Sequence, residues 1–271
     1  MDLPHVTSYL KPTAPDAIAG WAEGQAWLAG GTWLYSEPQP RLHTLIDIER
    51  FAWPTLKVTE GGLEIGATCK IAELLRFEAP PDWRAAPLFA ECCHALQSSF
   101  KIWNEATVGG NVCLSLPAGA LTALVVALEG ECLLWPREGT PRRVPALDFV
   151  TGNQQNILQP GELLRSLHLP ASALRKRTLF RRHALTQEGR STVLLIGTQS
   201  PDSQEWRLTV TAAIVRPVQI RFEGKPDEAA LSAALDLGIP SDLYFDDAHG
   251  TAKYRRHLTH HFAKEMLAEL D

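Results

Sequence analysis

Basic residues are scarce in this sequence relative to acidic ones. Its 271 residues include 26 lysines and arginines against 31 aspartates and glutamates, which gives a net charge of −5. Nucleic acids and anionic membrane surfaces are held largely by a general excess of positive charge. We therefore expect neither as a partner.

Long apolar runs are also lacking. The longest, residues 121–128, is far shorter than the roughly 20 residues that a membrane-spanning helix needs. The residues after Met1 do not combine a basic segment with an apolar one, as a secretory signal does. We expect a cytoplasmic protein without a membrane segment.

Cysteine pairs at metal-binding spacing are absent. Iron–sulfur clusters and structural zinc sites usually show such pairs, so we predict no metal site in this chain. Cys92 and Cys93 fall on an apolar stripe with helical spacing, which predicts two buried thiols. Cys113 is interpreted as a small packing residue, with a reactive thiol as the alternative.

Two glycine pairs occur in similar settings. The segment AGGTWL at 29–34 follows a short apolar run, and ATVGGN at 106–111 follows an amphipathic one. Glycine permits positive φ and close backbone approach, so successive N–H groups can converge on phosphate oxygens. One Gly–Gly pair is also a common tight turn. Two such motifs predict an elongated diphosphate ligand held from two sides.

The apolar pattern predicts an α+β protein in two parts. Strands are expected at 26–29, 44–48, 56–58, 63–67, 131–135 and 163–169, with helices at 70–76, 84–97 and 119–128. After Pro170, three strands at 178–182, 191–196 and 206–215 precede helices at 227–237 and 252–270. We expect one domain over 1–170 and a smaller sheet-plus-helices domain over 171–271.

The last predicted helix carries two patterns. Tyr254, Leu258, Phe262 and Met266 recur every fourth residue, which predicts its buried face. His257, His260 and His261 share this helix, but the glutamate of an H-E-x-x-H zinc motif is missing. We predict no metal there.

Six segments follow one another in a characteristic order. They are LAGGT (28–32), LIDI (45–48), GLEIGA (62–67), ATVGGN (106–111), PGELL (160–164) and DDAHGTAKYRR (246–256). In this order they resemble the FAD-binding medium subunit of the molybdenum hydroxylases, the group of xanthine dehydrogenase, aldehyde oxidoreductase and carbon monoxide dehydrogenase. The resemblance spans nearly the whole chain.

The resemblance implies a fold and a role. Residues 1–170 are expected to form a two-part FAD-binding domain of the vanillyl-alcohol oxidase and p-cresol methylhydroxylase (PCMH) type, and 171–271 a carbon monoxide dehydrogenase flavoprotein C-terminal-like domain. In relatives, a molybdenum cofactor in a large subunit oxidises the substrate, and [2Fe–2S] clusters in a small subunit carry electrons to FAD. This chain is then the FAD-carrying electron-transfer subunit of such an oxidoreductase, with those two subunits as partners and NAD⁺, oxygen or another acceptor as outlet.

The expected FAD-binding residues come from the two glycine motifs and from positions that the resemblance supplies. They are Leu28, Ala29, Gly30, Gly31, Thr32, Trp33, Leu34, Tyr35, Thr107, Val108, Gly109, Gly110, Asn111, Leu164 and Arg182. Binding is expected to be noncovalent, because no histidine lies closer to the first motif than His43. No catalytic acid, base or nucleophile is assigned.

The chain departs from the family pattern near the cofactor. Ala120 stands where relatives carry a carboxylate, and Trp103 replaces an arginine before the second motif. Arg182 stands for a lysine that relatives place near the flavin, and Arg190-Ser191-Thr192 replaces Asp-Ile-Ala. Trp27, Trp33, Trp53 and Trp103 are each interpreted either as core residues or as flavin-stacking residues.

Two other functions remain as alternatives. One is a self-sufficient flavoprotein oxidase or dehydrogenase on the same fold. The other is an assembly subunit that has lost its flavin, for which Ala120 is the main support.

Overall fold

A small parallel sheet opens the fold. In the computed structural model, which describes residues 3–18, 20–96 and 98–270, strands β1 (Ser8–Leu10), β2 (Gln25–Leu28) and β3 (Thr44–Asp47) have the order β1-β3-β2. All four residues of the central strand β3 are buried, as is typical of a strand covered on both faces. The strands predicted at 26–29 and 44–48 are confirmed, and β1 was not predicted.

A five-stranded antiparallel sheet follows. It contains β4 (Leu56–Thr59), β5 (Gly62–Gly66), β6 (Glu131–Trp135), β7 (Arg142–Pro145) and β10 (Leu163–Pro170), in the order β4-β5-β10-β6-β7. Strand β10 is central, and five of its eight residues are buried. The short hairpin of β8 (Val150–Gly152) and β9 (Gln155–Asn156) lies before it in sequence.

Helices cover this part of the chain. They are α1 (Ile71–Leu75), α2 (Pro87–Ala95), α3 (Phe100–Trp103), α4 (Val108–Leu114), α5 (Ala120–Ala127) and α6 (Ala146–Phe149). Every residue of α5 is buried, because this helix also packs against two strands of the next sheet. Cys92 and Cys93 on α2 are fully buried, so the prediction of two buried thiols is confirmed.

The second part is an antiparallel sheet with two long helices. After α7 (Ala171–Leu174), strands β11 (Arg177–Ala184), β12 (Ser191–Gln199), β13 (Trp206–Thr211) and β14 (Val218–Phe222) form a four-stranded meander. Helices α8 (Glu228–Gly238) and α9 (Ala252–Ala268) complete it. Sequence reasoning missed β14 but found the other three strands and both helices.

Both faces of this second sheet are covered. Leu194 and Ile196 of β12 belong to the core that contains α5, while Val193 and Leu195 belong to the core built with α8 and α9. Strand β10 ends at Pro170, and each later described strand belongs to the four-stranded sheet. The domain boundary after residue 170 stays a prediction.

The buried face of α9 differs from the prediction. Leu258 and Met266 are buried as expected, but Tyr254 is exposed and Arg255 takes the inward position. The Arg255 guanidinium donates to the carbonyl oxygens of Thr192 and Ala212 at 2.5 and 2.8 Å. An arginine can be buried when its donors are paired, and apolar spacing alone does not reveal such pairing.

Candidate cofactor site

A cavity of about 650 Å³ is lined by residues from both parts of the chain. Its volume falls within the ~300–1,000 Å³ range of ligand and cofactor sites. The wall contains the first glycine motif, residues that surround the second, a stretch near the start of β10, and Arg190 with Ser191 at the start of β12. Apolar side chains make up much of it, among them Ile48, Leu96, Leu114, Leu116, Leu158 and Leu163.

The first glycine motif is a turn with free donors. Gly31 has a φ of +69°, a conformation that favours glycine and lets neighbouring N–H groups converge. Among the described residues, no acceptor is present for the backbone N–H groups of Gly30, Gly31, Thr32, Trp33 and Leu34. Consecutive N–H groups without protein partners on a cavity wall are suited to the oxygens of an anion.

Gly30 is required for a different reason. A Cβ atom at this position would lie 1.9 Å from the carbonyl oxygen of Glu105. The turn is thereby pressed against the segment that leads into the second glycine motif. This contact holds the two motifs on one cavity.

The second glycine motif is the start of α4, whereas the sequence predicts N–H groups there that converge on phosphate oxygens. Its N–H groups are already paired: Val108 and Gly109 donate to the carbonyls of Cys69 and Ala67. Gly110 donates to the Thr107 hydroxyl at 3.0 Å, which caps the helix. The free donors for an anion therefore lie in the first motif, and the second contributes wall surface.

Most of the predicted FAD-binding residues line this one cavity. Those on its wall are Ala29, Gly30, Gly31, Thr32, Trp33, Leu34, Thr107, Gly109, Gly110, Asn111 and Leu164. Four are not among the lining residues: Leu28, Tyr35, Val108 and Arg182. Leu28 and Val108 are buried under the two motifs, whereas Tyr35 is exposed.

Arg182 forms hydrogen bonds within the protein that the sequence did not predict. Its guanidinium donates to the Ser191 hydroxyl at 2.8 Å and to the carbonyls of Gln187 and Gly189. These contacts brace the turn between β11 and β12. Arg190, in the same turn, is the arginine that lines the cavity. Only the folded hairpin reveals that Arg190, and not Arg182, holds this position.

The titratable groups on the wall are not poised for acid–base chemistry near neutral pH. Burial opposes ionisation of Glu162, but hydrogen bonds from Arg142 and from the Gln159 N–H outweigh it and hold the pKa of Glu162 below its usual value. Burial raises the pKa of the Cys113 thiol to about 12. Cys113 is therefore a protonated wall residue, not an activated nucleophile.

Ala120 lies outside the cavity wall. It is fully buried as the first residue of α5. Asn111 accepts a hydrogen bond from the N–H of Leu121 at 3.3 Å, so an amide oxygen from α4 partly caps this helix. The neighbouring Ala118 and Gly119 form the adjacent wall.

The tryptophans divide between wall and core. Trp27 and Trp33 line the cavity. Trp53 packs against Phe51 and Trp135, with centroid separations of 4.9 and 5.4 Å. Trp103, the fourth, is partly buried beside His94.

The histidines singled out from the sequence lie elsewhere. His43 contacts Thr44 and the carbonyl of Glu23 and does not line the cavity. His260 lies 3.1 Å from Asp236, and His261 lies 3.2 Å from Glu265.

In the described part of the chain, no helix combines the length and apolarity needed to cross a membrane.

The fold and this cavity are those of an α+β protein with a site of cofactor size. Residues 7–172 match the family described as the FAD binding domain in molybdopterin dehydrogenase. The match covers more than half of the chain, so the protein belongs to this family. It confirms the resemblance, the fold class and FAD as the family's cofactor.

Individual relatives agree with this assignment. A xanthine dehydrogenase of Oryza sativa subsp. japonica is 32% identical over 122 residues, which is 43% of this chain but only 9% of that protein. The chain thus corresponds to a small part of the xanthine dehydrogenases it matches. The carbon monoxide dehydrogenase medium chain of Hydrogenophaga pseudoflava is 23% identical over 82% of this chain and 80% of its own length.

A solved structure shows the same fold. Carbon monoxide dehydrogenase from Hydrogenophaga pseudoflava superposes with a TM-score of 0.81 at 21% identity, over 98% of this chain and 96% of that chain. The fold class expected from the sequence is thereby confirmed.

The residues present fit FAD. The unpaired N–H groups of the 30–34 turn would hold the diphosphate, and the apolar walls would hold the ring systems. Residues of both glycine motifs line the cavity, so a single ligand can contact both. Among the described residues that line the cavity, none is a histidine that could form a covalent link.

Proposed function

We propose that this chain is the FAD-carrying electron-transfer subunit of a molybdenum hydroxylase-type oxidoreductase. Electrons arrive from [2Fe–2S] clusters of a small partner subunit and leave to NAD⁺, oxygen or another acceptor. The molybdenum cofactor belongs to a large partner subunit. The similarity to a carbon monoxide dehydrogenase medium chain supports a place within a multi-subunit complex.

One observation carries the proposal: residues 30–34, whose backbone N–H groups have no acceptor among the described residues, line a cavity sized for a cofactor. Bound FAD supplies the redox chemistry, accepting electrons from one partner and delivering them to another. The chain's residues bind and enclose it. Glu162 is paired and Cys113 is protonated, so the wall favours electron transfer over oxidation of an organic substrate at this site.

We also propose the domain division that accompanies this function. Residues 1–170 form the PCMH-type FAD-binding domain, and 171–271 form the carbon monoxide dehydrogenase flavoprotein C-terminal-like domain. The family match over 7–172 and the end of β10 at Pro170 support the boundary.

Noncovalent FAD binding is the first test. The purified chain, reconstituted with excess FAD and desalted, should retain one flavin per chain. Acid precipitation should leave a colourless pellet and release a flavin that chromatographs as FAD. A chain that retains no flavin would support the assembly-subunit alternative, and a yellow pellet would contradict noncovalent binding.

The source of electrons is tested separately. Rapid, saturable anaerobic reduction of the isolated holoprotein by a small aldehyde, alcohol or heterocycle would favour the self-sufficient enzyme. Under our proposal such reduction is slow, and it becomes fast only when the iron–sulfur and molybdenum subunits are added.

The rim of the cavity offers a contact surface for the small subunit. Phe100 on α3 is 66% exposed, and Ile102 on the same helix is partly exposed while it lines the cavity. Exposed apolar side chains that lie together beside a ligand site are typical of an interaction surface. We therefore expect Phe100→Asp to slow flavin reduction through the partner about tenfold, the effect of losing one interface contact of about 1.4 kcal/mol.

The control for this variant is Leu237→Asp. Leu237 is 85% exposed on α8, none of whose residues line the cavity. Both variants should bind FAD like the wild type, and only Phe100→Asp should alter the stopped-flow reduction rate. Equal rates in both variants would remove α3 from the partner interface.

A further inference from the structure

Arg190 brings an unpaired positive charge to the cavity. It lines the wall with Ser191 at the junction of the β11–β12 turn and β12. Its guanidinium makes no ion pair or side-chain hydrogen bond within residues 3–18, 20–96 and 98–270. Arg182, in contrast, has its guanidinium occupied by the same turn.

The other charged groups of the wall do not cancel Arg190. Glu162 is a lining carboxylate, and Arg142 donates to both of its oxygens at 2.9 and 2.8 Å. Cys113 stays protonated. The described wall therefore presents one uncompensated charge, and it is positive.

Arg190 approaches from a different wall than the 30–34 turn. Gly30 packs on the carbonyl of Glu105. Arg190 immediately precedes β12, which pairs with β13. Ala212 follows β13, and its N–H donates to the carbonyl of Pro117 at 2.8 Å. The turn's N–H groups already provide for a diphosphate, so Arg190 is available to another part of the ligand.

We propose that Arg190 is a positioning residue for the flavin ring of bound FAD and stabilises the negative charge that the ring gains on reduction. This inference rests on the proposed FAD binding. Two-electron, one-proton reduction, by the partner's clusters or by dithionite in the test, adds one negative charge to the ring. A nearby guanidinium favours that form and raises the flavin potential.

The test compares Arg190→Gln and Arg190→Lys with wild-type holoprotein. Measurements are the dissociation constant of oxidised FAD and the midpoint potential in an anaerobic dithionite titration with reference dyes. In Arg190→Gln we expect oxidised FAD to bind within about twofold of wild type and reduced FAD about tenfold more weakly. That ratio corresponds to a midpoint potential about 30 mV lower. Arg190→Lys should stay near wild type.

Glu188→Gln is the matched control. Glu188 is exposed in the same turn and does not line the cavity, so its loss changes the local charge without changing the wall. Its potential should equal that of the wild type. Circular dichroism checks that each variant is folded.

The outcomes separate the two claims. Equal weakening of oxidised and reduced FAD in Arg190→Gln, with an unchanged potential, would place Arg190 at the diphosphate and overturn the inference. Unchanged affinity and potential would overturn it as well, while FAD binding stands. A wild-type chain without FAD would instead overturn the proposed function, and the inference with it.

Discussion

Gly31→Val is expected to bind FAD at least about a hundredfold more weakly than the wild type. Valine is strongly disfavoured at the φ of +69° that Gly31 adopts. Its Cβ atom would also lie 2.6 Å from the Tyr35 ring and 2.9 Å from the Leu28 side chain. The turn must rearrange, so its N–H groups no longer converge. Loss of two charge-assisted hydrogen bonds of about 1.5 kcal/mol each accounts for this factor.

The control is Gly139→Val. Gly139 has a φ of +91° in the turn between β6 and β7, and a Cβ atom there would meet nothing within 4 Å. The variant therefore carries a similar backbone strain outside the FAD cavity. Flavin-fluorescence titration should give it the wild-type dissociation constant. A Gly31→Val protein that binds FAD within threefold of wild type would contradict the role of the turn.

Gly31 is a better test position than the neighbouring glycines. Gly30 packs on Glu105, and a Cβ atom at Gly109 would lie 2.6 Å from Ala67. Substitution at either position disturbs packing between segments of the protein itself. Weak FAD binding in those variants would not distinguish a lost ligand contact from a lost fold.

Arg255→Leu is expected to lower the free energy of unfolding by about 3 kcal/mol or more. Arg255 is 1% exposed, and it pairs with Asp247 and stacks over Phe245 at 4.2 Å. Its removal leaves the carbonyls of Thr192 and Ala212 without this donor. Each buried polar group left unpaired costs about 1–3 kcal/mol.

Arg256→Leu is the matched control for this variant. Arg256 is the next residue, its side chain is 51% exposed, and it pairs with Asp236. Surface ion pairs contribute about 0–1 kcal/mol, so urea unfolding of this variant should stay within about 1 kcal/mol of wild type. Similar free energies of unfolding for both variants would contradict the stabilising role of Arg255.

Arg255 also illustrates a residue that apolar periodicity misplaced. The i+4 pattern put Tyr254 on the buried face of α9, whereas the helix is rotated so that Arg255 points inward. Periodicity is read from the spacing of apolar side chains, so it does not predict the burial of a charged one. Two of its acceptors, the carbonyls of Thr192 and Ala212, come from distant parts of the chain. The other two, the Gly250 carbonyl and the Asp247 carboxylate, lie in the segment just before the helix.

Short elements were the other limit of sequence reasoning. Most of the elements that the sequence did not predict have only two to four residues, namely strands β1, β7, β8 and β9 and helices α3, α6 and α7. Helix α4, with seven residues, matters most, because the second glycine motif forms its capped start and the N–H groups of this motif are paired within the protein. Its N–H partners, Cys69 and Ala67, lie about forty residues away in the sequence, beyond any local pattern.

Local chemistry alone determined a large share of this protein. Apolar alternation and helical spacing placed the long strands and helices, and the glycine pairs marked the segments around the cofactor cavity, because backbone conformation and side-chain burial leave short-range traces in sequence. Only the tertiary structure decided which backbone donors remain unpaired, which of Arg182 and Arg190 lines the wall, and how Arg255 is buried. Those outcomes depend on partners brought together from distant parts of the chain, and a hydrogen bond or an ion pair exists only once both partners are in place.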